Sequence, residues 1–152
     1  MLECLRSAFA AYEDQYTREA FGDTVPSAEG LERRFRAMTV LVAETRDGAI
    51  VGTVSYQLVS PEEAHVRGMA VLPGWHGRGA AQALMERVEA DARAAGCAGL
   101  TLDTTEPLRR AIRFYERNGF RPTGRVTDFF GMPLFEYLRL HPAEASDWCE
   151  PG

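Results

Sequence analysis

The chain predicts a single α/β domain built around a mixed β-sheet, and three observations carry that prediction. Two helical stripes open the chain, a strand–glycine turn–helix–strand run occupies its centre, and hairpin signals flank that run on both sides. A chain of 152 residues suits one domain, because a core of this size removes roughly 70% of the unfolded surface from water.

Leu5, Phe9, Tyr12 and Tyr16 recur at steps of three to four and predict one apolar stripe of a helix. Phe21-Gly22-Asp23-Thr24-Val25-Pro26 reads as a loop. A second helix is predicted from the N-cap Ser27, with Leu31, Phe35 and Met38 on one face. Val40–Thr45 and Ile50–Val59 are β-rich. They flank Asp47-Gly48, a hairpin signal because both residues tolerate positive φ.

A third strand, Ala64–Leu72, ends at Pro73. The next helix is predicted to carry Ala81, Leu84, Val88, Ala92 and Ala95 on one face and Gln82, Glu86, Glu89 and Arg93 on the opposite one. Leu100-Thr101-Leu102 starts another strand, which implies a right-handed parallel crossover. Pro107 opens a further helix carrying Leu108, Ala111, Ile112 and Tyr115, and Asn118-Gly119 stops it. A hairpin from Arg125–Phe129 through Gly131 to Leu134–Leu140 completes the domain.

Composition narrows the function classes. An apolar share of 45% and a charged share of 26% are those of an ordinary globular protein. No apolar run is long enough to span a bilayer, and the start lacks a signal-peptide layout, so the expectation is a cytoplasmic protein with no membrane partner. A net charge of −5 argues against a nucleic-acid partner, which needs a concentrated basic surface. All 17 basic residues are arginines, a pattern better explained by coding bias than by individual sites. Cys4, Cys97 and Cys149 are scattered, and His65, His76 and His141 are isolated; neither set makes a metal motif or disulfide frame.

The turn His76-Gly77-Arg78-Gly79-Ala80-Ala81 carries the main chemical signal. Its small residues let an anion approach the backbone N–H groups at the start of the following helix. Those donors lack helical partners, and the helix dipole favours negative charge there. A diphosphate suits such a row of amides, although G-x-G alone equally suits plain chain geometry. The P-loop is excluded by the absence of Lys and Ser/Thr after the last glycine. The dinucleotide fingerprint fails at Gln82, despite Asp103 at the end of the next strand.

Two motifs together resemble the GNAT acetyltransferase superfamily. Val71-x-Pro73 followed by Gly77-x-Gly79-x-Ala81 is similar to its acyl-CoA-binding motif. Ala111-Ile112-Arg113-Phe114-Tyr115-Glu116-Arg117-Asn118-Gly119-Phe120 is similar to its second motif, A-x-x-(L/F)-Y-x-x-x-G-F, in the family's order and at its usual separation. The resemblance covers Val40 to Leu140 and extends to the first two helices by layout.

The resemblance implies an α/β (α+β) fold spanning 1–140, with a tail over 141–152. Its sheet would be mixed and mostly antiparallel, with a central parallel strand pair and helices on both faces. Family members begin with a β-strand, whereas this chain is helical by Leu5, so Val40–Thr45 is expected to lack a full neighbour on one side. The implied activity is an N-acetyltransferase moving an acetyl group from acetyl-CoA, as co-substrate, to an amine acceptor. Attack would be direct, without metal or covalent enzyme adduct. A non-catalytic CoA-binding module with the same fold and a plain nucleotide-binding domain are the alternatives. Oligomeric state stays open, with a homodimer allowed.

For the cofactor, the resemblance implies that the backbone of Met69, Ala70 and Val71 binds pantetheine. The amides of Gly77, Gly79, Ala80 and Ala81 would take the diphosphate, with His76 and Arg78 beside them. His76 stands where the family usually has Arg or Gln. Leu108 stands where an Asn is frequent, which leaves Thr104 and Thr105 as local substitutes, Thr105 being preferred. Tyr115 is a core aromatic by spacing and lies near the thioester sulfur by resemblance. Glu63 and His65 share a strand face near the thioester, and His65 takes the place of a frequent family glutamate. His65 is therefore the expected base, with Glu63 as a second acid.

Overall fold

The computed structural model describes residues 1–141. Its helices are α1 (Leu2–Phe9), α2 (Arg18–Thr24), α3 (Ala28–Ala37), α4 (Ala80–Ala94) and α5 (Arg109–Arg117). Its strands are β1 (Thr39–Glu44), β2 (Ile50–Ser60), β3 (Glu63–Val71), β4 (Gly99–Thr104), β5 (Arg121–Phe129) and β6 (Met132–Leu140). They form one sheet in the order β1-β2-β3-β4-β6-β5. Every neighbouring pair is antiparallel except β3–β4, which the α4 crossover makes parallel. The mixed, mostly antiparallel sheet with one central parallel pair is the one expected. β1 forms an edge whose one partner among the described residues is β2, and residues before Leu5 are helical, as anticipated.

The two sheet faces carry separate apolar clusters. Leu84, Met85, Val88 and Ala92 of α4 pack with Val54, Val66, Leu100, Leu102, Tyr115 and Phe120. On the opposite face Leu5, Phe9 and Leu31 pack with Ala70. Phe120 is fully buried, so Phe120→Ala is expected to cost about 3–5 kcal/mol through lost transfer energy and a residual cavity. Denaturant unfolding with an unchanged m-value checks this; a loss below about 1 kcal/mol would show that the pocket collapses around Ala.

β3 and β4 pair only from Glu63–Gly99 to Val66–Leu102 and then diverge. A register shift between β2 and β3, opposite Gly68 at φ +68°, bends β3 at that point. Leu72 N–H donates to Val51 O, so alternation along the strand turns the N–H and C=O of Met69 and Val71 toward the gap. The fold thus leaves an unpaired strand edge in the middle of its own sheet.

Several local expectations change. Residues 21–24, expected as loop, belong to α2, because Thr17 Oγ1 accepts from Ala20 N–H at 3.2 Å and caps the helix. The first stripe breaks after Phe9: residues Ala10–Gln15 form a 3₁₀ helix, and Tyr16 is extended. Ser27 caps α3 as expected, through Gly30 N–H at 3.2 Å. Its buried stripe is rotated by one residue, however: Phe35 is 54% exposed and Arg34 only 7%. Glu89, paired with Arg93 along α4, also receives both Arg139 terminal nitrogens on its carboxylate at 2.9 and 3.0 Å. β5 begins at Arg121 rather than Arg125. The tail expected from residue 141 lies outside the described residues apart from His141, whose N–H donates to Ala98 O at 2.8 Å.

Candidate active site

The gap between β3 and β4 opens into a cleft of about 940 Å³. Its walls come from the 3₁₀ segment, α2 and α3 on one side, and from the glycine turn, α4 and α5 on the other. Met69, Ala70 and Val71 lie along its divergent edge, and His76, Gly77, Gly79, Ala80 and Ala81 at the start of α4. Gly77 and Gly79 adopt φ of +74° and +86°, and a Cβ at either would meet no atom within 4 Å. The turn therefore needs glycine for its backbone and leaves open space above its amides. Gly79 is the N-cap of the 15-residue helix α4 and supplies no side-chain cap, so the first N–H groups stay available to an anion.

Of the side chains expected beside the turn, His76 lines the cleft and Arg78 does not. His76 Nε2 lies 3.2 Å from Val71 O, and donation to that carbonyl ties the ring back onto the end of β3. Arg78 does not line the cleft; its guanidinium lies over the Trp75 ring at 4.9 Å. On the α5 side of the cleft, positive charge comes from Arg110, Arg113 and Arg117, at helical spacing. Gln82 Nε2 donates to Asn118 Oδ1 at 3.0 Å, which clamps the start of α4 to the end of α5 and brings the two motifs together.

Tyr115 is 7% exposed and packs edge-on between Phe114 and Phe120, yet it lines the cleft. Core packing and cleft access are therefore both true of it. Burial, with nearby Tyr16 adding to it, pushes the Tyr115 phenol well above its ordinary value. Tyr16, expected on a helix stripe, is extended and lines the cleft. Its hydroxyl lies 2.5 Å from Thr105 Oγ1, and burial pushes its phenol up. That contact occupies Thr105, whereas Thr104 Oγ1 is buried and has no hydrogen-bond partner among the described residues. Leu108 packs with the cluster containing Phe9 and Ala70, so the position where the family often has Asn is an apolar piece of wall here.

His65 lines the cleft and is held at both ring nitrogens. Nδ1 lies 2.9 Å from Thr101 Oγ1, and Nε2 lies 3.3 Å from Asp103 Oδ2. Thr101 donates its single proton to Glu63 Oε2 at 3.0 Å, so it accepts from Nδ1–H. Glu63 therefore sits behind His65 and does not line the cleft. Asp103, at the end of β4, does line it. No local pattern pairs positions 65 and 103; the parallel β3–β4 register does.

The family model of the acetyltransferase (GNAT) family matches residues 3–120. An uncharacterised N-acetyltransferase of Mycobacterium tuberculosis is 34% identical over 87 residues, 57% of this chain and 56% of that protein. The chain thus matches little more than half the length of this relative. Among solved structures, the PaiA N-acetyltransferase of Thermoplasma acidophilum in complex with coenzyme A superposes with a TM-score of 0.73. It is 18% identical, over 92% of this chain and 90% of that one. A GNAT family acetyltransferase of Elizabethkingia anophelis with acetyl-CoA bound gives a TM-score of 0.63 at 16% identity, over 76% and 84% of the two chains. At these identities the likeness to solved structures concerns the fold, while the family match rests on the sequence from the first helix to Phe120; the chain belongs to the GNAT acetyltransferase family.

Proposed function

We propose that the protein transfers an acetyl group from acetyl-CoA to an amine by direct attack. The observation that carries this reading is the unpaired β3 edge running into the bare N-terminus of α4, with Tyr115 facing the same cleft. Pantetheine amides complete the interrupted ladder through Met69 N–H and C=O and Val71 N–H. The diphosphate rests on the amides of Gly77, Gly79, Ala80 and Ala81, with Arg113 and Arg117 adding charge that His76 and Arg78 do not supply. Thr104 offers its unpartnered hydroxyl beside the arm.

The acceptor enters from the α1–α3 side. A lysine-like ammonium costs about 4–5 kcal/mol to deprotonate at neutral pH, so a base shortens the path. The His65–Asp103 pair takes that proton, directly or through one water, and Glu63 orients the ring through Thr101. The neutral amine attacks the thioester carbon and the C–N bond forms; the nitrogen loses its second proton to solvent, and collapse of the tetrahedral intermediate breaks the C–S bond. Tyr115, held protonated by burial, donates a hydrogen bond to the departing sulfur.

Thiol release from acetyl-CoA in the presence of an amine panel tests the reading. The expected result is acceptor-dependent thiol with no release from acetyl-CoA alone. Tight CoA binding without acceptor-dependent thiol across the panel would leave a binding module and sink the transferase. Asp103→Asn is expected to lower kcat about 10²-fold and to change the acidic limb of the pH–rate profile, with CoA affinity within about twofold of wild type. An unaltered profile removes the pair from the proton path.

A further inference from the structure

One wall of the cleft carries charge that acetyl transfer does not use. Arg34 on α3 is 7% exposed, and its Nη1 is buried with no hydrogen-bond partner among the described residues. Among the described residues its Nη2 reaches only the Asp23 carbonyl, at 3.4 Å. The head group lies against the β3 bulge, where a Cβ at Gly68 would come within 3.0 Å of Nη1. Beside it, Arg67 pairs with the Asp23 carboxylate and approaches the Asp23 carbonyl at 3.3 Å. All three residues line the cleft.

One carboxylate faces two guanidiniums, so a positive charge is left over. Burying a guanidinium without full pairing is costly, and a Met or Leu would fill the same volume without that cost. Burial, and then Arg67, lower the basicity of Arg34, with Asp23 opposing them; the site is short of negative charge. Two residues back along the same face of β3, about 7 Å away, His65 meets Asp103. The wall therefore has a positive pole at Arg34 and Arg67 and a negative pole at Asp103. Phe9, Tyr12 and Met38 supply apolar surface at the same end.

We propose that the acceptor is a small amine bearing a carboxylate, in the simplest case an α-amino acid. Its carboxylate is held by Arg34 and Arg67, and its amine faces Asp103 and the thioester. The inference rests on the acetyl-transfer reading for its chemistry, but it makes a separate claim about recognition. The amine gives its proton to the His65–Asp103 pair and forms the N–acetyl bond. The C–S bond breaks, the nitrogen releases its second proton to solvent to become the amide, and the thiolate takes a proton from solvent.

The test compares the common L-amino acids with their carboxamides and their decarboxylated amines in the thiol-release assay. At least one carboxylate is expected to exceed its matched carboxamide by about tenfold or more in kcat/KM. In Arg67→Ala, which alters a partly exposed side chain, that ratio should fall to about two or less. The change should come from a raised KM for the carboxylate, with the carboxamide unaffected. Arg34→Met, which keeps the volume and removes the charge, should do the same. A merely structural arginine would lower both substrates together, and that result overturns the proposal. Carboxamides or plain amines used as well as carboxylates by the wild type also overturn it, while leaving the transferase intact. Should no acceptor release thiol, equilibrium dialysis of the same amino acids and carboxamides against the protein saturated with CoA decides the point. Preference for carboxylates that is lost in Arg67→Ala supports the proposal, and equal binding ends it.

Discussion

Gly79→Ala is expected to weaken CoA binding at least about tenfold, and Gly79→Val about 100-fold, each factor of ten corresponding to about 1.4 kcal/mol. Gly79 sits at φ +86°, where an L-residue is strained by roughly 1–2 kcal/mol, and a Cβ there meets no protein atom within 4 Å. The added carbon therefore projects into the space above the amides, where a diphosphate oxygen must come within hydrogen-bond distance. Strain alone would lower stability without regard to ligand, and an internal control separates the two effects. Gly96, beyond the far end of α4, has φ +83° and equally open surroundings. Gly96→Ala should match Gly79→Ala in lost stability by thermal unfolding while binding CoA normally by titration calorimetry. Equal CoA affinity in all three proteins would show that the turn serves only chain geometry.

Tyr115→Phe is expected to lower kcat by about 10–150-fold with CoA affinity within about twofold of wild type. That range is the worth of one hydrogen bond to a charged group, about 1.5–3 kcal/mol, expressed as a rate. The ordinary phenol is already a weaker acid than a thiol, by roughly 2 kcal/mol. Burial pushes Tyr115 further in that direction, which makes full proton transfer to sulfur more uphill and leaves hydrogen bonding as its contribution. The sign also fixes the pH dependence. A phenol raised by burial stays protonated through the alkaline range, so it creates no basic limb, and Tyr115→Phe should scale the pH–rate profile without moving it. Tyr115 also packs against Phe114 and Phe120, and Phe preserves those contacts, so a fall in kcat cannot be assigned to lost core. An unchanged kcat removes the hydroxyl from the reaction.

The residues that became chemically connected without warning share one property. Tyr16 with Thr105, His65 with Asp103, and Arg34 with Gly68 are long-range contacts made across elements. Arg34 in particular breaks the apolar rule for helix stripes. Leu31 and Phe35 fit a helical period, yet α3 settles with Leu31 and Arg34 buried, and the Phe35 side chain goes to solvent. A single helix cannot specify that rotation; the bulge at Gly68 and the Asp23 carbonyl do. Thr17, by contrast, caps α2 through a local hydrogen bond, whereas Gly22 and Pro26 favour a loop over the same stretch.

The sequence by itself determined the sheet-forming segments, the hairpin at Asp47-Gly48, the crossover helix and the glycine turn at its start. These depend on residues close in the chain, through periodicity, capping and positive φ. It also determined the family, since two ordered motifs lie within one short span. Only the tertiary structure decided that β3 and β4 part after Val66 and Leu102. It likewise decided that Asp103 rather than Glu63 faces the cleft, and that a buried arginine stands where its other wall meets β3. Those outcomes follow from strand register and from one bulge, which shift whole side-chain rows from face to face while leaving local propensity unchanged.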